Sequence, residues 1–339
     1  MRKYVGFISE NYSFDILRPI QNAALDQGHE FIWFLDGNNV NTELFLDNER
    51  YETDIKQLIN YAADAIFVPG NVVPSFVPGL KVQVFHGFEW KKKGHWRIRN
   101  CFDLYCTQGP FFTAKFNELQ AKHRHFLVQQ TGWPKLDNAI APITQEKKFS
   151  PTVLYAPTFS PAYCSTPELF EEIIKLSHSK DWQWLVKFHP KMDSTWIDKF
   201  RAQSHHKLKL VGDAHLASAF ATADVLLSDT SSIITEFLLQ GKPAVTYKNA
   251  SPDPVLIDFV EAPQLKSSIE TALHDVSRKE HIEQFCHSMH PYRDQLSSER
   301  ILSCVENILT NNITAERRKP LNIIRHLKAR KAYKYWAFR

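Results

Sequence analysis

Short apolar runs rich in β-branched and aromatic residues alternate with longer stretches of helical periodicity along nearly the whole chain, and this alternation restricts the fold more than any other feature. A strand buried on both faces reads as a continuous apolar run, and a helix between two such runs is the crossover that joins parallel neighbours. In the first half, strands are expected at 4–9, 30–35, 65–68, 81–85, 104–107 and 125–129. Between the first two, Ile16, Leu17, Ile20, Ala23, Ala24 and Leu25 recur at helical spacing over 15–27, and Gly28 stops that helix. Further helices are expected at 54–63 and 110–122. A second series follows, with strands at 152–156, 183–188, 209–211, 225–228 and 244–247 and helices at 167–179, 195–203, 214–223, 232–240, 263–274, 278–288 and 298–310.

The chain has 339 residues, and domains of roughly 100 to 200 residues make two the natural number. Around 139–150 the periodicity fails and Pro142, Thr144, Gln145, Glu146, Lys147 and Lys148 collect, as in an exposed linker. The expected organisation is an N-terminal Rossmann-like domain at 1–140, a linker at 141–150, a C-terminal Rossmann-like domain at 151–316 and a basic amphipathic tail at 317–339. Two such α/β halves facing each other form a cleft where a ligand is expected.

Composition narrows the setting. No apolar run approaches the roughly 18 residues of a membrane-spanning helix. The apolar run near the start, Tyr4 to Ile8, is shorter than the roughly 7 to 15 residues of a secretory core. Five cysteines, an odd number without a C-x-x-C pair, suit reduced thiols better than a disulfide framework. A cytoplasmic protein is expected. The formal charge is +4, yet residues 317–339 hold nine Lys or Arg and no acid, so the body is net acidic and the end strongly basic.

Three constellations bear on chemistry. In Asp224 to Phe237 an apolar strand ends at Ser228, a polar turn holds Asp229, Thr230 and Ser231, and a helical pattern begins near Ser232 with Glu236 in its first turn. Hydroxyls and unpaired amides at such a place suit a phosphate, and they suit an ordinary helix cap equally well. In Trp184 to Pro190, Lys187 and His189 are two apart, so a strand would project both to one face before Pro190 ends it. The other reading is a solvated lysine and a histidine bonded at a strand end. In Lys81 to Gly94, His86 follows a strand, Gly87 permits a sharp departure, and Lys91 to Lys93 make a basic loop. An imidazole there is suited to general base work; the lysines also read as a solubilising patch. Cys286, His287 and His290 lack a fourth ligand at metal-site spacing, and no metal is expected. The scattered tryptophans fit packing better than base stacking, so no nucleic-acid partner is expected. Walker A, G-x-G-x-x-G and G-x-S-x-G motifs are absent.

Taken in order, His86-Gly87, Thr131-Gly132-Trp133-Pro134-Lys135-Leu136-Asp137, Leu154-Tyr155-Ala156-Pro157-Thr158, Lys187-Phe188-His189-Pro190, Ser228-Asp229-Thr230-Ser231-Ser232 and Ser297-Ser298-Glu299-Arg300 resemble the CDP-glycerol glycerophosphotransferase family, which builds teichoic acids and related capsular polymers. The resemblance runs over about 81–309. Three motifs depart from the family's pattern. Gly87-Phe88-Glu89-Trp90 stands where Gly-Thr-Pro is usual, Lys135 replaces an arginine and so loses planar bidentate recognition, and Thr230 replaces a tyrosine before Ser231-Ser232.

The resemblance implies a GT-B fold, with two Rossmann-like domains across a cleft and the donor in the C-terminal one. It implies His86 as general base, with His189 also catalytic. Pro157, Thr158, Lys187, His189, Asp229, Thr230, Ser231, Ser232, Glu236, Ser298, Glu299 and Arg300 would hold the donor, and Gly87, Glu89, Lys91 and Lys135 the acceptor. The implied reaction moves glycerol phosphate or a related polyol phosphate from a CDP-activated donor to a hydroxyl of a polymer or lipid-linked acceptor, releasing CMP, with no cofactor and no metal. A GT-B glycosyltransferase using a nucleotide sugar or CMP-Kdo, and a non-catalytic nucleotide-binding scaffold, are the competing readings. The basic end, with Leu321, Ile323, Ile324 and Leu327 among its cations and aromatics beyond, reads as a contact with the anionic cytoplasmic face of a membrane. A terminal helix packed back on the first domain is the other reading.

Overall fold

The computed structural model describes residues 1–88, 90–91, 93–139, 150–212 and 215–337. The chain divides into two compact units, Met1–Ala139 with Ser288–Arg339, and Ile140–His287.

In unit 1 the order is β1 (Lys3–Ile8), α1 (Ser13–Asp26), β2 (Glu30–Leu35), β3 (Tyr51–Glu52), α2 (Ile55–Tyr61), β4 (Ala65–Val68), β5 (Leu80–Gln83), β6 (Leu104–Thr107), α3 (Pro110–His123), β7 (Leu127–Gln130) and α4 (Lys135–Ala139). Its seven strands lie in the order β3-β2-β1-β4-β5-β6-β7 with every pairing parallel. Every second residue (Val5 and Phe7, Ile32 and Phe34, Ile66 and Val68) enters one apolar cluster, closed by Ile55, Leu58 and Ile59 of α2.

Unit 2 repeats the plan with β8 (Thr152–Tyr155), α5 (Thr166–Ser179), β9 (Gln183–Val186), α6 (Ser194–Ala202), β10 (Leu208–Leu210), α7 (Leu216–Thr222), β11 (Val225–Ser228), α8 (Ile233–Leu238), β12 (Ala244–Tyr247), β13 (Ile257–Phe259), α9 (Leu265–His274) and α10 (Ser277–Met289), whose last turn crosses the division between the units. The sheet order β10-β9-β8-β11-β12-β13, all parallel, is that of a Rossmann fold. Val153, Tyr155, Trp184, Val186, Val225 and Leu227 face a cluster covered by α5, α6 and α9.

One device recurs at the amino edges of both sheets. Asp64, Asp103 and Asp224 each precede a strand, and their carboxylates accept the N–H of Lys3, Lys81 and Thr152 on the neighbouring strand at 2.8, 2.9 and 2.7 Å. Their own N–H groups donate to the carbonyls of those same residues at 2.8 Å. Amides at the amino end of a strand can outrun the ladder on one side, and this exchange supplies them with a partner.

After α10 the chain returns to unit 1 through α11 (Ser297–Thr310), which packs against α1 and α4, and α12 (Ile323–Ala332). The expectation that 151–316 forms one domain is thereby corrected for its last part. The reason is local: the Asp137 carboxylate accepts the N–H of Ser297 and Ser298 at 2.9 and 2.8 Å and the Ser298 hydroxyl at 2.7 Å, capping α11 from a position 160 residues earlier. Gly132 lies alongside with φ +90°, and a Cβ there would sit 2.5 Å from Ser297 Oγ and 3.0 Å from His290 Nε2, so only glycine fits.

The tail also departs from a free basic segment. Tyr333 donates to Asp36 at 2.6 Å, Ser75 Oγ lies 2.7 Å from His326 Nδ1, Tyr335 stacks on Phe76 with centroids 5.3 Å apart, and Arg330 is buried. The helix is pinned to unit 1, while Leu321, Ile323, Ile324, Leu327 and Trp336 stay exposed.

His290 fixes the return. Its Nε2 accepts the Trp133 N–H at 2.9 Å, and burial lowers its pKa to about 4. The folded state thus keeps the ring neutral where an unfolded chain, with a histidine pKa of about 6.5, protonates it. The contribution is fully present above about pH 6.5 and is lost as pH falls toward 4, reaching roughly 2 kcal/mol by pH 5. Urea unfolding at pH 7 and pH 5 should show this loss in the native chain and a smaller one in His290→Asn.

Candidate active site

In unit 2, β8 and β11 are neighbours whose connections leave to opposite sides of the sheet, the arrangement that opens a crevice at the strands' carboxyl ends. The loops that leave there carry Pro157 and Thr158 on one side and Asp229 to Ser232 on the other. Asp229 joins them. Its buried side chain accepts the Thr158 N–H at 2.9 and 3.1 Å, the Ser165 N–H and hydroxyl at 3.0 Å each, and the Thr230 N–H at 2.7 Å. Ser165 Oγ lies 3.0 Å from the Tyr155 hydroxyl. The Asp229 carbonyl accepts Asn249 Nδ2–H at 2.6 Å, and Thr230 Oγ1 accepts the Ala250 N–H at 3.0 Å, which draws in the loop after β12. Burial pushes the Asp229 carboxyl above its ordinary value, against the pull of the Ser165, Thr158 and Thr230 donors.

Both oxygens of Asp229 are therefore occupied by the protein's own donors, and its part is to shape the crevice. The hydroxyls that line it are less enclosed. Thr158 and Ser231 are half-buried and Ser232 is exposed, while Ser231 Oγ accepts the Ile233 N–H at 3.4 Å. Glu236 is half-buried in the first turn of α8, a helix of only six residues. Pro157 is buried.

The strand before Lys187 ends at Val186, so the two-residue alternation expected to align Lys187 with His189 does not operate. Lys187 is buried and its ammonium donates to the Phe188 carbonyl. His189 is exposed, its ring 4.3 Å from that of Phe159, and its Nδ1 accepts the Lys191 N–H at 3.1 Å. A neutral ring with Nδ1 as acceptor carries its proton on Nε2, a donor suited to an anion.

In unit 1, His86 lies three residues beyond β5, half-buried, with the exposed Tyr12 ring 5.9 Å from its own. The sharp departure expected at Gly87 occurs at Phe85, whose φ of +59° is left-handed, a strained setting for a bulky residue. The turn is held from both sides. Trp133 Nε1–H donates to the Phe85 carbonyl and Gln108 Nε2–H to that of Gly87, each at 3.1 Å. Lys91 sits over the Trp90 ring at 4.8 Å and Lys135 over the Trp133 ring at 5.4 Å. Glu89 lies outside the described residues.

Ser298, Glu299 and Arg300 belong to unit 1, apart in the chain's division from the unit 2 residues with which the sequence grouped them. Arg300 stacks on Tyr292 at 3.8 Å, pairs with Asp294 and reaches the Thr131 carbonyl at 3.4 Å. Tyr12 and Asn249 went unread in the sequence, and His290 entered only among potential metal ligands that were set aside. Asn249 and Tyr12 have no motif around them, and His290 shows as functional only once the chain's return is known. Among the described residues no group of three or more His, Cys, Asp or Glu side chains could hold a metal, and Cys286 Sγ donates to the Leu238 carbonyl at 3.1 Å.

Residues 128–307, more than half of the chain, match the family model described as CDP-glycerol:poly(glycerophosphate) glycerophosphotransferase. The chain belongs to this family. It is thus a CDP-glycerol glycerophosphotransferase-like transferase. Its fold is GT-B-like, similar to that of the wall teichoic acid polymerase TagF at 12% identity and a TM-score of 0.65, over 91% of this chain and 89% of that one. MnaA from S. aureus, solved with UDP, is similar at 17% identity and a TM-score of 0.62, over 94% and 100% of the two chains. A UDP-N-acetylglucosamine 2-epimerase follows at 11% identity and 0.60, over 94% and 98%. No curated protein matches the sequence significantly.

The glycerophosphotransferase should depend on Asp229 for shape. Asp229→Asn keeps the volume but turns an amide toward N–H donors, which should cost about 1 to 3 kcal/mol of stability in denaturant unfolding.

Proposed function

We propose that this glycerophosphotransferase moves glycerol phosphate, or a related polyol phosphate, from a CDP-activated donor to a hydroxyl of a polymer or lipid-linked acceptor. The observation that carries the reading is the crevice at the carboxyl ends of β8 and β11, where Thr158, Ser231 and Ser232 surround a turn that Asp229 has already fixed. Donors held in place before the substrate arrives stabilise charge without reorganising at the moment of reaction.

In this mechanism the donor's diphosphate lies against Thr158, Ser231, Ser232 and His189, with Lys187 lending positive charge from beneath. Asp229, Thr230, Glu236 and Pro157 are assigned to the same donor site. His86 accepts the proton of the acceptor hydroxyl. The acceptor oxygen attacks the phosphorus that carries the polyol, a new P–O bond forms, the bond to the bridging oxygen breaks, and CMP leaves with the electron pair. Gly87, Glu89, Lys91 and Lys135 are assigned to the acceptor, and Ser298, Glu299 and Arg300 to the nucleotide. Neither metal nor cofactor takes part, so turnover should persist in EDTA.

Replacing His86 with Ala should lower turnover by roughly 10² to 10⁴ while CDP affinity changes little. His189→Ala and Ser231→Ala should each weaken CDP binding in calorimetry. Unchanged affinity in both would remove the donor from this crevice. Product analysis with CDP-glycerol against nucleotide sugars separates phosphoryl from glycosyl transfer.

No helix among the described residues is long and apolar enough to cross a membrane. Contact with the cytoplasmic face of a membrane is assigned to the basic end instead, where Ile324 and Trp336 are 71% and 51% exposed beside Lys and Arg side chains. Ile324→Glu with Trp336→Glu should reduce sedimentation with anionic liposomes, and turnover on a soluble acceptor analogue should stay unchanged. Undiminished sedimentation would take α12 out of that role.

A further inference from the structure

A cavity of about 1100 Å³ in unit 1 belongs to neither group of motifs. It lies under α12, against the loops that follow β2 and β4 and the turn that precedes β6. Val72, Val73 and Pro74 form one wall; Leu321, Ile323 and Leu327 form the other. Much of this apolar surface is open, with Leu321 91% and Ile323 64% exposed.

Arg99 and Arg325 also line the cavity. The Arg325 guanidinium donates to the Arg99 carbonyl at 3.0 Å and to Cys101 Sγ at 3.4 Å, which holds the two residues side by side. Among the described residues neither has a carboxylate partner. The nearby carboxylates are engaged elsewhere, Asp103 with Lys319 at 2.6 Å and Asp36 with the Tyr333 hydroxyl at 2.6 Å. Burial lowers the pKa of Arg99, and the charges of Arg325 and Arg97 lower it further. Two arginines that line one cavity with no carboxylate partner among the described residues favour an anion, and a guanidinium's planar, forked donors suit phosphate. The adjoining open apolar wall gains from being covered.

We propose that this cavity binds a single-chain amphiphile with a phosphate head, the head at Arg99 and Arg325 and the chain along Val72, Val73, Leu321, Ile323 and Leu327. The site draws on no residue assigned to donor or acceptor chemistry, so it stands or falls apart from that reading. Calorimetry of the full chain with decyl phosphate, below the concentration at which it aggregates, tests it against inorganic phosphate and decanol as the two halves. Decyl phosphate should bind one per chain and at least tenfold tighter than either half. Arg99→Gln and Leu327→Asp should each weaken it about tenfold with thermal unfolding unchanged. Decyl phosphate binding no tighter than decanol, or indifference to Arg99→Gln, would overturn the proposal. Binding to phosphatidylglycerol vesicles without binding of monomeric decyl phosphate would also overturn it, leaving a surface contact only. Should Arg325→Gln fail to fold, Arg99→Gln still decides, since among the described residues the Arg99 side chain bonds the exposed Gly94 and Arg97 carbonyls alone.

Discussion

Both sheets are built from parallel pairings, and that constraint governs what every other part of the chain must do. A parallel sheet buries both faces, so its polar chemistry is driven to the two edges where strands begin and end. At the beginning, each unmatched amide needs an acceptor, and Asp64, Asp103 and Asp224 answer with one carboxylate apiece. At the other end the loops diverge, and the gap between β8 and β11 is held to one shape by a single buried carboxylate, Asp229. The same residue type does opposite service at the two edges: it completes ladders at one and fixes the shape of a crevice at the other.

Unit 1 depends on a second constraint, that distant parts of the chain complete it. Asp137 caps α11, His290 takes the Trp133 amide, and Trp133 in turn donates from its indole to the carbonyl before His86. A path of buried hydrogen bonds thus runs from the returning segment to the candidate base. The left-handed Phe85 is tolerable in that setting, because its carbonyl is anchored and its ring stacks on His95 at 5.1 Å. The strain keeps His86 beyond the strand on a turn with little freedom, which is what a proton acceptor of fixed direction requires.

Much of this was legible in the residues. Strands such as Glu30–Leu35 and Ala65–Val68 fall at the bounds their apolar runs indicate, since a doubly buried strand has no other pattern available. The motif positions were legible too, as strand-end turns. What was not legible is partnership at long range. Ser297 to Arg300 follow unit 2 in the sequence, and only the cap from Asp137, a residue in a motif of its own, reveals that they close unit 1. Gly87 drew attention as the flexible point, whereas backbone strain at Phe85 has no sequence signal, because aromatic residues rarely adopt it. Lys187 and His189 looked aligned only while the strand was assumed to reach Phe188; it stops at Val186.

The C-terminal helix shows how one segment satisfies two readings that looked exclusive. Its later part is committed to the body, with Arg330 buried between His326, the carbonyls of Tyr335 and Ala337, and the Phe76 ring. Carbonyls and an aromatic face thus help to hold a buried cation, so the basic composition there serves packing. Its earlier part keeps Leu321, Ile323 and Ile324 outward. Burying those side chains would have stabilised the fold by about 1.5 to 3 kcal/mol each, and the anchors that follow them hold the helix in place without that gain. This apolar surface lies beside Arg99 and Arg325, which have no carboxylate partner among the described residues, and the seat under Tyr333 and Tyr335 fixes the direction in which it is presented.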